Sequence, residues 1–277
     1  MPDRLATPPG WRTWRGMDPM LVFDRQAVRH HRDRAVRTVD RVADVLRDAA
    51  GRLLDRLDDT SRRFTNALDV GGRGVVAPLL RARGLRVVSC DLSPAMAALN
   101  GGACVAADEE YLPFAAASFD LIVASLSLHW VNDLPGALLQ LRRALRPDGL
   151  LLASLPALGT LAELRSALTG AEAEITGGAS PRVSPFPELR DCAHLLQRAG
   201  FALPVADVED IRLLYADPFA LLADLRAAGE ANAIRQRSRS VAPRSVFPAA
   251  LAKLPREAER VAVTLRMAVM TGWAQGR

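Results

Sequence analysis

The chain has 277 residues, 49% of them hydrophobic and 5% aromatic, which predicts one domain with an elaboration and an aliphatic core. Its net charge is +5, and every basic residue except Lys253 is arginine. Because the arginines are spread along the chain without interleaved aromatic residues, the charge gives no support for a nucleic-acid-binding surface. No apolar run approaches the roughly 18 residues that a membrane span requires.

Cysteine and histidine usage predicts no metal site. No two of the cysteines Cys90, Cys104 and Cys192 have metal-ligand spacing. Their odd number, with two inside predicted strands, indicates reduced thiols in a cytosol-like compartment. The adjacent His30 and His31 fall on a polar helix, where we expect solvated side chains.

The chain divides into three predicted segments. Residues 1–22 carry arginine and proline but no apolar stretch of a secretory signal, so we expect a flexible tail. A mitochondrial transit peptide and an extension upstream of a true start at Met17 or Met20 stay open as alternatives. Residues 23–155 are predicted to form an N-terminal helix and the sheet core. Residues 156–277 are predicted to form a helical cap with the last strands.

Apolar residues recur at helical spacing after the tail and predict an amphipathic helix over roughly 25–58. Five short buried strands alternating with helices follow, which implies a parallel, doubly wound sheet. Ser93, which precedes a proline, and Asp133 mark the starts of two helices. The predicted strands span residues 66–70, 86–90, 103–107, 119–125 and 150–155.

The second half is more helical. Thr160 and Glu163 have the spacing of a capping box, which predicts a helix start. Apolar residues alternate over 261–271, and this period predicts a late strand that returns to the sheet. Helices between about 217 and 260 then form an insertion before that strand. The intervening predictions are helices over 187–199, 218–228 and 255–260, an extended segment over 205–215 and an arginine-rich loop over 229–249.

Acidic residues follow three successive strands, at the edge where open α/β sheets bind their ligands. Asp69 precedes a glycine turn at the end of the first strand, Asp91 closes the second, and Asp108 follows the third. A nucleoside suits this set, because glycines admit close backbone approach while carboxylates accept from ribose hydroxyls and an adenine amino group. Asp69 in turn suits the cationic amino-acid end of S-adenosylmethionine.

A dinucleotide is the competing ligand, but Gly71-Gly72-Arg73-Gly74 is not the dinucleotide G-x-G-x-x-G pattern. The alternative without a binding role is that the acids are ordinary helix caps and turn residues. We predict S-adenosylmethionine as cofactor. The candidate cofactor-binding residues are Asp69, Gly71, Gly72, Gly74, Asp91, Leu92, Asp108, Glu109 and Ser125.

Residues 23–275 resemble the mitochondrial complex I assembly factor 5 family and its bacterial relatives. The resemblance is strong around 107–135, in Ala107-Asp108-Glu109-Glu110-Tyr111-Leu112-Pro113-Phe114 and in the run from Ser125 through Leu128-His129-Trp130-Val131-Asn132-Asp133 to Pro135. Shorter matches lie at 160–165, 180–186, 229–232 and 271–273.

The resemblance implies an α/β class I methyltransferase fold. Its Rossmann-like, doubly wound sheet would be mostly parallel, with a late antiparallel strand and a helical cap insertion. It also implies a protein substrate, because the eukaryotic member hydroxylates an arginine of a complex I quinone-site subunit. Arginine hydroxylation and methylation both stay open. The compartment would be the cytoplasm in a bacterium and the mitochondrial matrix in a eukaryote.

Two other functions compete with this one. The carrier-protein methyltransferase of biotin synthesis has a similar helical insertion but lacks the full Leu-His-Trp-Val-Asn-Asp run. A non-enzymatic assembly chaperone that keeps the fold is the other alternative, and the shortened glycine loop favours it.

Two departures from the family pattern bear on the site. The family loop reads Asp-x-Gly-x-Gly-x-Gly, whereas the loop from Asp69 to Gly74 is one residue shorter. We therefore expect a different arc around the methionine end of the cofactor. Family members tend to have an acid just before the Thr160 position, where this chain has Gly159.

Candidate active residues follow the fourth strand. His129 is a possible proton acceptor near neutral pH, with a satisfied packing histidine as the alternative. Trp130 is a candidate for stacking on adenine or substrate, with a packing role at the helix entry as the alternative. Glu110, or Glu109 beside it, is a candidate for holding a cationic guanidinium, with a solvated loop as the alternative. Arg165 and Glu230 are substrate candidates from the cap, where surface salt bridges are the alternative. Arginines 235, 237, 239 and 244 suit either an acidic partner or a solvated loop.

Overall fold

The computed structural model describes residues 21–238 and 240–275, so most of the predicted tail lies outside the described residues. The predicted helix over 25–58 is broken into helices α1 (Arg25–Ala35) and α2 (Ala43–Leu54). A short 3-10 helix follows each of them, at Val39–Val42 after α1 and at Asp55–Leu57 after α2. β-branched residues are frequent at the break and disfavour helix. The break also lets α2 pack on the sheet while α1 lies against α4 and α8.

One sheet contains eight strands in the order β3-β2-β1-β4-β5-β8-β6, with β7 paired to β8. The first five strands in this order are parallel, and β8 runs antiparallel between β5 and β6. The doubly wound sheet and the late antiparallel strand are thus confirmed. The strands are β1 Asn66–Val70, β2 Arg86–Asp91, β3 Ala103–Ala106, β4 Phe119–Ser125, β5 Leu145–Pro156, β6 Ala202–Tyr215, β7 Arg256–Glu257 and β8 Arg260–Trp273.

Helices cover both faces of the sheet. The predicted caps are confirmed, since Ser93 Oγ accepts from the Met96 amide at 3.1 Å and Asp133 Oδ1 from the Gly136 amide at 2.9 Å. The remaining helices are α3 Val76–Ala82, α4 Pro94–Leu99, α5 Leu134–Ala144, α6 Ala162–Thr176, α7 Leu189–Arg198, α8 Pro218–Ala227 and α9 Val246–Ala252. No helix of the described part of the chain is both long and apolar enough to cross a membrane.

Three local predictions in the second half are wrong. Thr160 does not cap α6. Its hydroxyl instead donates to the Arg266 carbonyl at 2.6 Å on β8, a tertiary partner that replaces the local one. The residues around 255–260, predicted to be helical, form β7 and a tight turn into β8, where Ala258 and Glu259 have positive φ. The predicted loop over 229–249 includes the start of α9.

A cap of helices lies beside the core of the sheet. Helices α8 and α9 come between β6 and β8, which confirms the predicted insertion. They share a second apolar core with α6 and the first half of β8, formed by residues that include Leu164, Leu168, Leu221, Leu251 and Val261. The cap therefore has packing of its own next to the carboxyl ends of the strands.

Candidate functional site

The glycine turn between β1 and α3 is tight and closely packed. Gly71, Arg73 and Gly74 have positive φ values of 68°, 48° and 80°. A Cβ atom at Gly71 would lie 2.6 Å from the Ser127 Cβ, and one at Gly72 would overlap the Asp69 carboxylate. The predicted turn is thus present, with glycine required where the backbone approaches its neighbours.

Two of the predicted acids are fully buried at the ends of β1 and β2. Both carboxylate oxygens of Asp69, Asp91 Oδ2 and Ser127 Oγ are buried without hydrogen-bond partners among the described residues. Burial raises the pKa of Asp69 to about 7, and the nearby Asp91 carboxylate adds to the rise. Buried polar groups are rarely unpaired, so these atoms have hydrogen-bonding capacity that the described chain does not use.

Helix α1 places two arginines on Asp91 and on the acids that follow β3. Arg32 is 1% exposed, and its Nη1 lies 3.3 Å from Asp91 Oδ1 and 2.8 Å from Glu109 Oε1. Arg25 Nη2 lies 2.6 Å from Asp108 Oδ1 and also contacts Glu109. Burial would raise the pKa of Glu109, but the two guanidinium groups outweigh it and lower that pKa to about 2. Glu109 is therefore a buried anion held by α1.

A second group of polar residues lies at the floor of a cavity between the sheet and the cap. His129 Nε2 and Trp130 Nε1 each lie 2.7 Å from Glu230 Oε2, and Arg73 forms an ion pair with Glu230 Oε1. Burial would raise the pKa of Glu230, but His129 and Arg73 outweigh it and lower that pKa to about 2. His129 Nδ1 is buried and has no partner within the described chain.

This cap cavity has a volume of about 160 Å³. Its walls are mostly aliphatic, and Asp224 and Arg182 are the charged residues that line it besides the floor group. Arg73 belongs both to the glycine turn and to the cavity floor, so the predicted cofactor edge and the cavity meet at this residue. The aliphatic wall residues include Leu126, Leu161, Leu164, Leu213, Leu225 and Leu265.

The other predicted site residues make contacts within the chain. Glu110 Oε1 accepts from the Asn132 amide at 2.6 Å and so fixes the chain after the His129 turn. Arg165 donates to the Ser184 carbonyl at 2.6 Å inside the cap. Ser125 is the buried last residue of β4, and Leu92 packs beside Trp130.

The predicted arginine cluster is only partly described. Arg237 lies 3.0 Å from Asp24 Oδ2, so it ties the loop to the start of α1. Arg235 and Arg244 are exposed, and Arg239 lies outside the described residues. An acidic partner for this segment stays a prediction.

The sequence prediction missed three arginines of the site, the buried Arg32 and Arg73 and the half-buried Arg25. No local signal separates them from the many solvated arginines of this chain. Among the described residues, no group of three or more His, Cys, Asp or Glu side chains is arranged to hold a metal ion.

The sheet order, the glycine turn and the acids at the strand ends define a methyltransferase-fold enzyme. Residues 68–153 match the family described as "Methyltransferase domain". YcgJ from Bacillus subtilis has the same fold, with a TM-score of 0.56 at 13% identity over 81% of this chain and 98% of that one. A phosphoethanolamine N-methyltransferase of Haemonchus contortus, solved with S-adenosylmethionine, has a TM-score of 0.50 at 17% identity over 82% of this chain and 53% of that one.

Two relatives are more similar in sequence. The mitochondrial arginine-hydroxylase NDUFAF5 of Danio rerio is 35% identical over 95% of this chain and 86% of its own length. A malonyl-[acyl-carrier protein] O-methyltransferase of Laribacter hongkongensis is 36% identical over 83% of this chain and 82% of its own. The chain belongs to the S-adenosylmethionine-dependent methyltransferase family that includes these relatives. It is an enzyme of that family, and S-adenosylmethionine is its cofactor.

Proposed function

We propose that this enzyme modifies an arginine side chain of a protein substrate. Bound S-adenosylmethionine supplies an electrophilic methyl group. The residues of the chain that fit it are the three acids at the strand ends and the glycine turn. Asp91 would accept from the ribose, Asp108 from the adenine, and Asp69 would face the methionine end. The cap cavity would take the substrate.

The observation that carries the proposal is the position of Glu230 at the floor of the cap cavity. A carboxylate offers about four acceptor directions, and Glu230 uses three of them for Arg73, His129 and Trp130. One direction remains for a cationic guanidinium. The aliphatic walls suit the apolar stem of an arginine, whose charged head would reach the floor.

His129 is the proton acceptor in this proposal. In the neutral tautomer that carries its proton on Nε2, the Nε2–H group donates a hydrogen bond to Glu230, and Nδ1 is unprotonated. Nδ1 would then take the proton that a substrate nitrogen loses when the nitrogen gains a methyl group. Holding substrate and cofactor in line would supply most of the rate enhancement.

The substrate is proposed from the arginine-hydroxylase relatives, whose name states the chemistry. We expect a quinone-site subunit of complex I as the protein substrate. Hydroxylation is the alternative reaction at the same arginine, and it requires an oxidant of the dioxygen class together with a reductant. A gain of one methyl group and a gain of one oxygen atom are distinguished by mass.

The test compares cells that lack the gene with cells that carry the wild type or His129→Ala. We expect the complex I subunit to lose a modified arginine in the deletion strain. Wild type should restore it, and His129→Ala should not. Peptide mass spectrometry gives the site and the group. Unmodified arginine with normal complex I assembly in all strains would reject the proposal, and an assembly defect rescued by His129→Ala would favour a chaperone.

Carrier-protein methylation is the second candidate. It is supported by the malonyl-carrier-protein relative and by the aliphatic walls of the cap cavity, which also suit an acyl thioester. Against it, Arg73 and Arg182 of the cavity are both ion-paired with glutamates, which already offset the positive charge that would attract a carboxylate. Methyl transfer from labelled S-adenosylmethionine to malonyl carrier protein in vitro would decide in its favour.

A further inference from the structure

Helix α1 crosses the edge of the sheet where the cofactor is expected. Arg25 and Arg32 are seven residues apart, so both side chains project from one face of α1 toward the strand ends. Together they contact three acids that follow β2 and β3, namely Asp91, Asp108 and Glu109. The helix thus presents two cations to the acids proposed above for the nucleoside.

Arg32 occupies the place that a ribose would need. Its Nη1 lies 3.3 Å from Asp91 Oδ1 and 3.8 Å from where a Cβ of Gly71 would be. The guanidinium therefore lies between the ribose acid and the glycine turn. The Ser93 amide also donates to Oδ1, at 2.8 Å, whereas Oδ2 has no partner in the described chain. Oδ1 thus already has two donors, and only Oδ2 is open to the ribose hydroxyls while Arg32 stays in place.

We propose that Arg32 is an internal competitor for the ribose site. In the closed form its guanidinium is held by Asp91, and S-adenosylmethionine binds the form in which Arg32 has left that carboxylate. The proposal rests on the role of Asp91 as ribose acid, and it adds that α1 controls access to it.

The contacts of Arg32 keep the free-energy cost of leaving Asp91 low. A buried guanidinium that lost all its partners would be strongly destabilising. Glu109 prevents that loss, because Arg32 Nη1 is closer to Glu109 Oε1, at 2.8 Å, than to Asp91. Arg25 also contacts Glu109 and keeps α1 attached. Arg32 can therefore leave Asp91 and stay ion-paired, which requires only a local movement of α1.

The test is the affinity for S-adenosylmethionine of Arg32→Met, measured by calorimetry. The matched control is Arg34→Met, an exposed arginine of the same helix. Removing a competitor raises the apparent affinity by the reciprocal of the fraction of molecules that had been open. We expect Arg32→Met to bind at least about fivefold more tightly than wild type and Arg34→Met to bind like wild type. Unchanged or weaker binding by folded Arg32→Met would overturn the proposal.

A second measurement uses only the wild type, in case Arg32→Met fails to fold. Trp130 lies beside the site, where its carbonyl accepts from Arg25 at 3.1 Å, so its fluorescence reports binding. We expect the association rate to level off at high cofactor concentration, because Arg32 must first leave Asp91. A rate that rises linearly throughout would contradict the competitor. Neither measurement needs a substrate, so failure of the proposed arginine modification leaves them interpretable.

Discussion

Asp69 combines full burial with an unpaired carboxylate at the end of β1. Its pKa is 3.8 in an unperturbed carboxyl and is raised to about 7 in the folded chain by burial. Between these two values the folded chain binds more protons than the unfolded chain. The free energy of unfolding therefore falls as the pH rises from about 3.8 to about 7. The role proposed for Asp69, facing the methionine end of the cofactor, would account for this cost.

Asp69→Asn removes this titration and should reverse its cost. The difference in free energy of unfolding, variant minus wild type, should increase between about pH 4 and pH 8, by at most about 4 kcal/mol. Chemical denaturation without cofactor at both pH values measures the difference. Asp58→Asn, at an exposed position, is the control. A gap between Asp69→Asn and wild type that stays constant with pH would contradict the burial argument.

At the scale of elements, β8 joins the two halves of the molecule. It pairs with β5 on one side and with β6 on the other, and its first half also packs into the core of the cap. Near its end, Gly272 lies under the Phe201 ring. A Cβ atom there would lie 2.9 Å from Phe201 Cβ and Cγ. The close approach explains a glycine inside a central strand.

Two glycine-to-alanine changes should have opposite effects. Gly272→Ala should destabilise the fold by about 1–3 kcal/mol, because the new methyl group overpacks against Phe201. Gly51→Ala, within α2, should stabilise it by about 0.5–1 kcal/mol, since a Cβ there meets no atom within 4 Å. Urea denaturation measures both. Equal effects of the two changes would show that packing at Phe201 is not the cause.

At the scale of the whole molecule, the site forms where three parts of the chain meet. The core supplies the glycine turn and His129, the cap insertion supplies Glu230, and α1 supplies Arg25 and Arg32. The cap cavity lies between core and cap, beside the turn. Cofactor and substrate would then enter from different sides and meet near Arg73.

Filling the cap cavity should separate the two binding events. Val183→Trp places a large ring in the cavity wall, so kcat/KM for the protein substrate should fall at least about tenfold. Affinity for S-adenosylmethionine should stay as in wild type. Val208→Trp, on the exposed face of β6, is the control. If Val183→Trp lowered cofactor affinity instead, the cavity would belong to the cofactor site.

Most of the fold prediction came from the spacing of hydrophobic residues and from helix-capping residues. The bounds of β1 and β4 and the caps at Ser93 and Asp133 follow from runs and spacings of a few residues, which local chemistry determines. Thr160 is the counterexample. Its sequence neighbours form a capping pattern, but a β8 carbonyl distant in the sequence takes the hydroxyl. Local patterns fail where a tertiary partner is available.

The sequence by itself determined the doubly wound sheet, the glycine turn with its three acids, and the candidate pair His129 and Glu230 as separate residues. Only the tertiary structure decided that Glu230 contacts His129, 101 positions apart, and that Arg32 is held by Asp91. The physical reason is the range of the forces. Hydrophobic period and caps act over a turn or two, whereas the burial that pairs a particular arginine with a particular acid depends on how distant segments meet.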